Sequence, residues 1–313
     1  MKKLFDEYVN GENITFWNYL TFRKLKDELI TIQPYEKIAF QDLDNASVEE
    51  LTIDNYEFMG VSKLKLNYVY SIFLHGSQAH LNNIDFSDID IVVVINDAEK
   101  FNPKLLKKDF VELRGLCKQM FKTDPLMHHG LMFMNKSDFY NYTEFFLPID
   151  SIKNALCLYG NNLIQYRKTK KNKDERFNER LSNSLEYVQK KIHSGSIDSD
   201  YQLKNIISII LLIPSLFLSV QGIFVDKRES FDICYENYYN INWDVVKMAE
   251  KIRKNWKSPK IFILHLFTIL ILGGFGQKAS KKFYYTNIKN NKKYLNDLKE
   301  KIDLFVDTVK KEV

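Results

Sequence analysis

The sequence predicts an α+β fold, with a small α/β unit inside residues 1–150 and an all-helical unit over residues 151–313. Three observations predict it. Two short apolar runs, Val69 to Leu74 and Ile89 to Ile95, are rich in β-forming residues and too short for helices. Between Pro103 and Lys122, Leu105, Leu106, Phe110, Leu113, Leu116, Cys117 and Met120 fall on or near one helical face. After about Asp150 long helical patterns take over, and 313 residues exceed what one typical core holds.

Taken in order, residues 1–70 read as a helical lead-in. Phe16 to Ile32 carries apolar residues at three- and four-residue spacing, and Ser47-Val48-Glu49-Glu50 has the form of a helix start. Val69 to Leu74 is a strand that enters a tight turn at His75-Gly76-Ser77, after which a short helix is expected. Ile89 to Ile95 is apolar on both faces, as in a strand covered on both sides. Pro103 suits the first turn of the following helix, and Leu126 to Met134 is a third strand. Helices are then expected over Ile152–Gln165, Phe177–His193, Tyr201–Val220, Val245–Trp256, Lys260–Leu272 and Tyr294–Val313, with no strand among them.

Composition narrows the function classes. Lys and Arg number 45 against 40 Asp and Glu, a mild excess that favours anionic ligands without singling out nucleic acid. Cys117, Cys157 and Cys234 are far apart and form no CxxC pair, which predicts reduced thiols in a cytoplasmic protein and no zinc site. The apolar stretches Ile206 to Val220 and Ile261 to Phe275 fall short of the ~20 residues of a membrane span, so both are expected as buried core helices. The basic runs Arg167 to Lys173 and Lys278 to Lys293 read as a solvated linker and an exposed loop. The chain lacks a GxxxxGK[ST] loop, a G-x-S-x-G elbow and an HExxH helix.

The chemistry concentrates in Leu74-His75-Gly76-Ser77, ten further residues, then Asp88-Ile89-Asp90-Ile91. Glycine lets backbone approach a ligand closely, and amide N–H groups with a serine hydroxyl at a helix start cradle phosphate. Alternate residues of a strand share a face, so Asp88 and Asp90 point the same way and offer two hard carboxylates to a divalent cation.

This segment, over about residues 71–95, resembles the signature of the polymerase-β-type nucleotidyltransferase superfamily, including the Ser87 that precedes Asp88. The resemblance implies a small mixed-sheet nucleotidyltransferase domain followed by a helical domain, as in antibiotic and minimal nucleotidyltransferases. It implies that Asp88 and Asp90 bind magnesium, or manganese in its place, and that Gly76 and Ser77 hold the β- and γ-phosphates of an NTP such as ATP. It also implies a third carboxylate on a later strand. Leu126 to Met134 contains no acid, which leaves Asp124 just before it, or His128 or His129 within it, as the catalytic base or a substrate contact; otherwise His128-His129 is structural, with Gly130 allowing close packing. Asp138 follows the run. Lys227, after the helix stop at Gly222, is the candidate phosphate ligand from the helical half. His75 is open to a substrate contact or a packing role.

The expected activity is transfer of an NMP from an NTP to an acceptor hydroxyl, with pyrophosphate leaving. The acceptor is an antibiotic-like small molecule, an RNA end such as tRNA, or a protein side chain; no membrane is involved. The rival reading is a catalytically degenerate nucleotide-binding regulatory module, as in a toxin–antitoxin or phage-defence pair. On the first reading, replacing Asp88 and Asp90 together by Ala is expected to abolish transfer and leave the fold intact.

Overall fold

The computed structural model describes residues 1–22, 25, 47–79, 86–97, 102–124, 126–137, 149–168, 175–256, 263–277 and 294–313. Asp138, the basic runs beyond Lys168 and most of Phe16–Ile32 lie outside them. The chain starts with helices α1 (Lys2–Tyr8) and α2 (Phe16–Thr21), followed by strands β1 (Ser47–Thr52), β2 (Val69–His75) and β3 (Asp90–Ile95). Next come α3 (Pro103–Thr123), β4 (Met132–Asn135), α4 (Ile149–Lys153), β5 (Leu156–Gly160) and β6 (Leu163–Lys168). The rest is helical: α5 (Glu175–His193), α6 (Asp200–Ile210), α7 (Ile213–Val220), α8 (Lys227–Asn237), α9 (Asp244–Lys254), α10 (Ile263–Leu272) and α11 (Tyr294–Glu312).

The protein is thus a mixed α/β chain built on a four-stranded sheet of order β4-β3-β2-β5. β2 lies antiparallel to β3 and to β5, while β3 and β4 run parallel. Alternation along the two central strands sorts their side chains to two cores. Ile72, Leu74, Ile91, Val93 and Ile95 face α1 and α3, where Phe5 meets Phe110 edge-on at 5.0 Å. Phe73, Val92 and Val94 face Ile53, Ile152 and Cys157 on the other side. Both faces being covered accounts for the unbroken apolar runs of β2 and β3.

Three expectations need correction. Ser47–Thr52 is a strand, not a helix start: it pairs antiparallel with β6, Ser47 opposite Lys168 and Thr52 opposite Leu163. A partner more than a hundred residues away outweighs a local start signal. Ile152–Gln165 is not one helix but a single turn followed by β5 and β6. Gly160 breaks it, with φ +79° and its α-carbon pressed against the Tyr70 carbonyl, where no Cβ fits. Strand β4 covers only Met132–Asn135, because Leu126 to Leu131 forms an irregular connection. The Asn10 side chain binds that connection like a neighbouring strand, donating to Leu131 O at 2.7 Å and accepting from Leu131 N at 3.0 Å. Gly130 has no room for a Cβ beside Asn10, so this glycine permits the packing expected of it.

The helical half has its own core, centred on Leu203, Ile207, Phe217, Trp243, Ile252 and Phe305. Phe86 and Leu126, from the strand-bearing half, are buried in it, and Phe86 meets Trp256 edge-on at 5.1 Å. In return, α10 packs on α3, with Ile269 in the sheet-side core, and Tyr19 donates to Leu272 O at 2.9 Å. The lead-in therefore packs against the segment that follows Leu272. Among the described residues one stretch, Asp200–Val220, has the length and mean hydropathy (2.1) of a membrane span, but 78% of its apolar window is buried inside the protein. It also breaks at Leu211-Leu212, between α6 and α7.

Candidate functional site

The turn and the acidic strand meet through the register of the sheet. His75, the last residue of β2, pairs with Asp90, the first of β3. Gly76 follows with φ +71°, and a Cβ there would stand 2.8 Å from Asp90 Oδ2. Ser77, half-buried, continues the same turn; the helix expected after it falls outside the described residues. The Asp90 carboxylate is partly open to solvent, with His129 Nε2 3.8 Å from Oδ1. His75 is buried, with its Nε2 lacking a hydrogen-bond partner among the described residues, and burial holds its pKa down against the opposing charge of Asp90.

Asp88 is held from two sides. His128 Nδ1 lies 3.2 Å from Oδ2, and Lys204 Nζ lies 2.6 Å from Oδ1. Lys204, on α6, is fully buried and also donates to Asp124 Oδ2 at 2.9 Å, with its ammonium 5.5 Å from the Phe86 ring centre. Burial pushes the Asp88 carboxyl up, but His128 and Lys204 outweigh it and hold the group below the usual carboxylate range. Asp124 goes the other way: burial raises it to about 6, with the charge of Asp88 adding and Lys204 opposing. Its other oxygen accepts from Leu126 N at 3.1 Å. Asp124 is thus joined to Asp88 through Lys204, and both its oxygens are engaged.

The two histidines part company. His128 is buried, its ring tilted 40° to that of Tyr201 with centroids 4.9 Å apart, and its Nε2 lies 3.4 Å from the Tyr201 carbonyl. Burial lowers its pKa against the opposing pull of Asp88, and both ring nitrogens face acceptors, the Asp88 carboxylate being the closer contact. That leaves Nε2 facing a carbonyl, a poor position for abstracting a proton. His129 is 61% exposed beside Asp90 and faces solvent.

The helical half adds cations. Asp226 caps α8, accepting from Arg228 N at 2.7 Å and Glu229 N at 3.0 Å, which sets Lys227 at the first position of the helix. Burial and the neighbouring Arg253 lower the Lys227 pKa to about 8, against the pull of Asp90 and Asp88. Arg253, near the end of α9, is also lowered by burial and feels both aspartates. Asp88 thus touches His128 and, through Lys204, is joined to Asp124; Asp90 lies beside Gly76 and His129, and Lys227 feels the charge of both aspartates.

Lys204 and Arg253 escaped the sequence reading. The signal for Lys204 was present: it sits among Leu203, Ile207 and Leu211 on the buried face of a helix, where a charge requires a buried partner. Arg253 carries no such signal, since it falls in an ordinary basic last turn. Among the described residues no group of three or more His, Cys, Asp and Glu side chains is placed to hold a metal ion. Set against family models, curated proteins and solved structures, the chain matches none.

Proposed function

We propose that this site transfers a nucleotide from an NTP to an acceptor hydroxyl. The observation that carries the reading is the close contact of the Gly76 turn with Asp90, two residues from Asp88, together with Lys227 and Arg253, which feel the charge of both aspartates. Carboxylates with two cations close enough to feel their charge suit a polyphosphate that brings its own divalent ion.

The donor set fits such an ion on one condition. Two carboxylates do not make a closed cage, but magnesium is commonly held by one or two carboxylates with phosphate oxygens and water completing its shell. Asp90 keeps an open face beside the turn that would carry the phosphates, and Asp88 retains acceptor capacity beyond its two contacts. When bound, magnesium or manganese would neutralise the phosphates and favour attack at the α-phosphorus. The chain's own residues do the rest. Gly76 and Ser77 hold the β- and γ-phosphates, while Lys227 and Arg253 draw negative charge toward the leaving pyrophosphate. The acceptor oxygen bonds to the α-phosphorus as the bridge to the β-phosphate breaks, and the acceptor's proton passes to His129 or to water. Acceptors of three kinds suit this chemistry: an antibiotic-like small molecule, an RNA end, or a protein side chain. The buried, unpaired cysteines suit a cytoplasmic setting.

A second reading rests on Asp124. Its oxygens are aimed at Lys204 and at Leu126 N–H rather than at an acceptor. A module that binds NTP without reacting, regulating a partner, accommodates this. Pyrophosphate release from each NTP with Mg²⁺, alone and with tRNA or an aminoglycoside panel, separates the two. Release with any acceptor supports transfer. Silence together with an NTP-dependent rise in Tm supports the module.

A further inference from the structure

We infer that Lys204 is the resident cation of this site, occupying the place between Asp88 and Asp124 where a second divalent ion would otherwise sit. The inference rests on the reading of Asp88 and Asp90 as metal-holding residues. Lys204 Nζ lies 2.6 Å from Asp88 Oδ1 and 2.9 Å from Asp124 Oδ2, so one ammonium bridges two carboxylates as a metal would. Its side chain has no exposure to solvent, and Leu203, Ile206 and Ile207 around it belong to the core of the helical half. An ammonium so placed cannot swing aside without leaving a buried charge unpaired. Asp124 is fixed in turn by Leu126 N–H, which aims Oδ2 at the lysine. Asp124 is therefore a positioning residue that holds Lys204, and the site takes a single divalent ion, at Asp90 and the remaining face of Asp88. The same bridge joins α6 to the end of α3 and the start of β3, so it also ties the helical half to the sheet.

The test counts Mn²⁺ bound to the chain in the presence of a non-hydrolysable NTP, from the loss of free-ion paramagnetic signal beyond that caused by the NTP alone. Wild type is expected to bind one ion. Lys204→Met exposes the Asp88–Asp124 gap and is expected to gain a second ion, or to bind the first at least about tenfold more tightly, because removing a positive charge strengthens the field for another. Two ions on wild type overturn the inference, as does a Lys204→Met chain that binds Mn²⁺ like wild type. If Lys204→Met is unfolded without metal, Mn²⁺ is expected to restore its folding, and failure to do so overturns the inference equally. No ion on either chain strikes instead at Asp88 and Asp90 as metal-holding residues, the reading underneath.

Discussion

Lys204 Nζ lies 2.6 Å from Asp88 Oδ1, joining a helix of the C-terminal half to the foot of a sheet strand through a buried ion pair. Removing one partner of such a pair strands the other charge. Lys204→Met is therefore expected to lose about 3–5 kcal/mol of stability in metal-free urea denaturation. A loss below about 1 kcal/mol, the range of exposed pairs, would mean that the ammonium is not buried against Asp88.

The same contact changes what can be learned from the aspartates. Replacing Asp88 and Asp90 together was expected to spare the fold, but Asp88 neutralises a buried lysine, so the double Ala variant is expected to be destabilised as well as inactive. Asp90→Asn is the cleaner probe, since Asp90 is partly open and, among the described residues, forms no ion pair with a buried lysine or arginine. It should keep the wild-type Tm within a few degrees and lose at least about a hundredfold in turnover. Wild-type turnover in Asp90→Asn would remove Asp90 from the site.

Gly76 combines a positive φ with close contact to Asp90. Gly76→Ala is expected to cost about 1–2 kcal/mol for the left-handed backbone alone, and to push the Asp90 carboxylate aside. Tm and turnover should fall together. A variant with normal Tm and normal turnover would show that the turn and the carboxylate are not in contact.

Lys227 sets a pH dependence. Its pKa of about 8 in the folded chain lies below the ordinary 10.5, so the ammonium destabilises the unliganded fold below about pH 8, and that loss is regained as pH rises toward 10.5. Phosphate binding makes the opposite demand, because it needs the ammonium. NTP affinity, measured by titration calorimetry, should weaken as pH passes through 8, and Lys227→Met should bind about tenfold more weakly at pH 7 with a flat profile. A wild-type affinity constant from pH 7 to pH 9 would place Lys227 away from the phosphates.

Another buried charge supports the fold away from Asp88 and Asp90. The Asp109 carboxylate, on α3, accepts from Asn67 N, Asn67 Nδ2 and Tyr68 N at 2.7–3.0 Å, fastening the helix to the entry of β2. Asp109→Ala leaves those donors without an acceptor and is expected to cost about 2–4 kcal/mol in urea denaturation while leaving metal binding unchanged. A cost near zero would show that water replaces the carboxylate.

What was legible in the sequence follows from how local its causes are. β2, β3 and α3 are carried by their own apolar pattern, and Asn102 and Pro103 mark the start of α3 as helix starts usually are. Gly76-Ser77 and Asp88-Ile89-Asp90 met because two adjacent strands form an antiparallel pair. β1 and β6 were misread because neither is a strand except in the other's company. The role of Asp124 was out of reach for a similar reason: its partner Lys204 lies 80 residues further on, and only the packing of α6 brings the two together.

The most direct test of the central claim follows two radiolabels on one NTP, at the α- and the γ-phosphate, with Mg²⁺ and the acceptor panel. Nucleotidyl transfer predicts that the α-label moves to the acceptor while the γ-label leaves in pyrophosphate, and that Asp90→Asn abolishes both. Movement of the γ-label to the acceptor, or transfer that persists in Asp90→Asn, would contradict it.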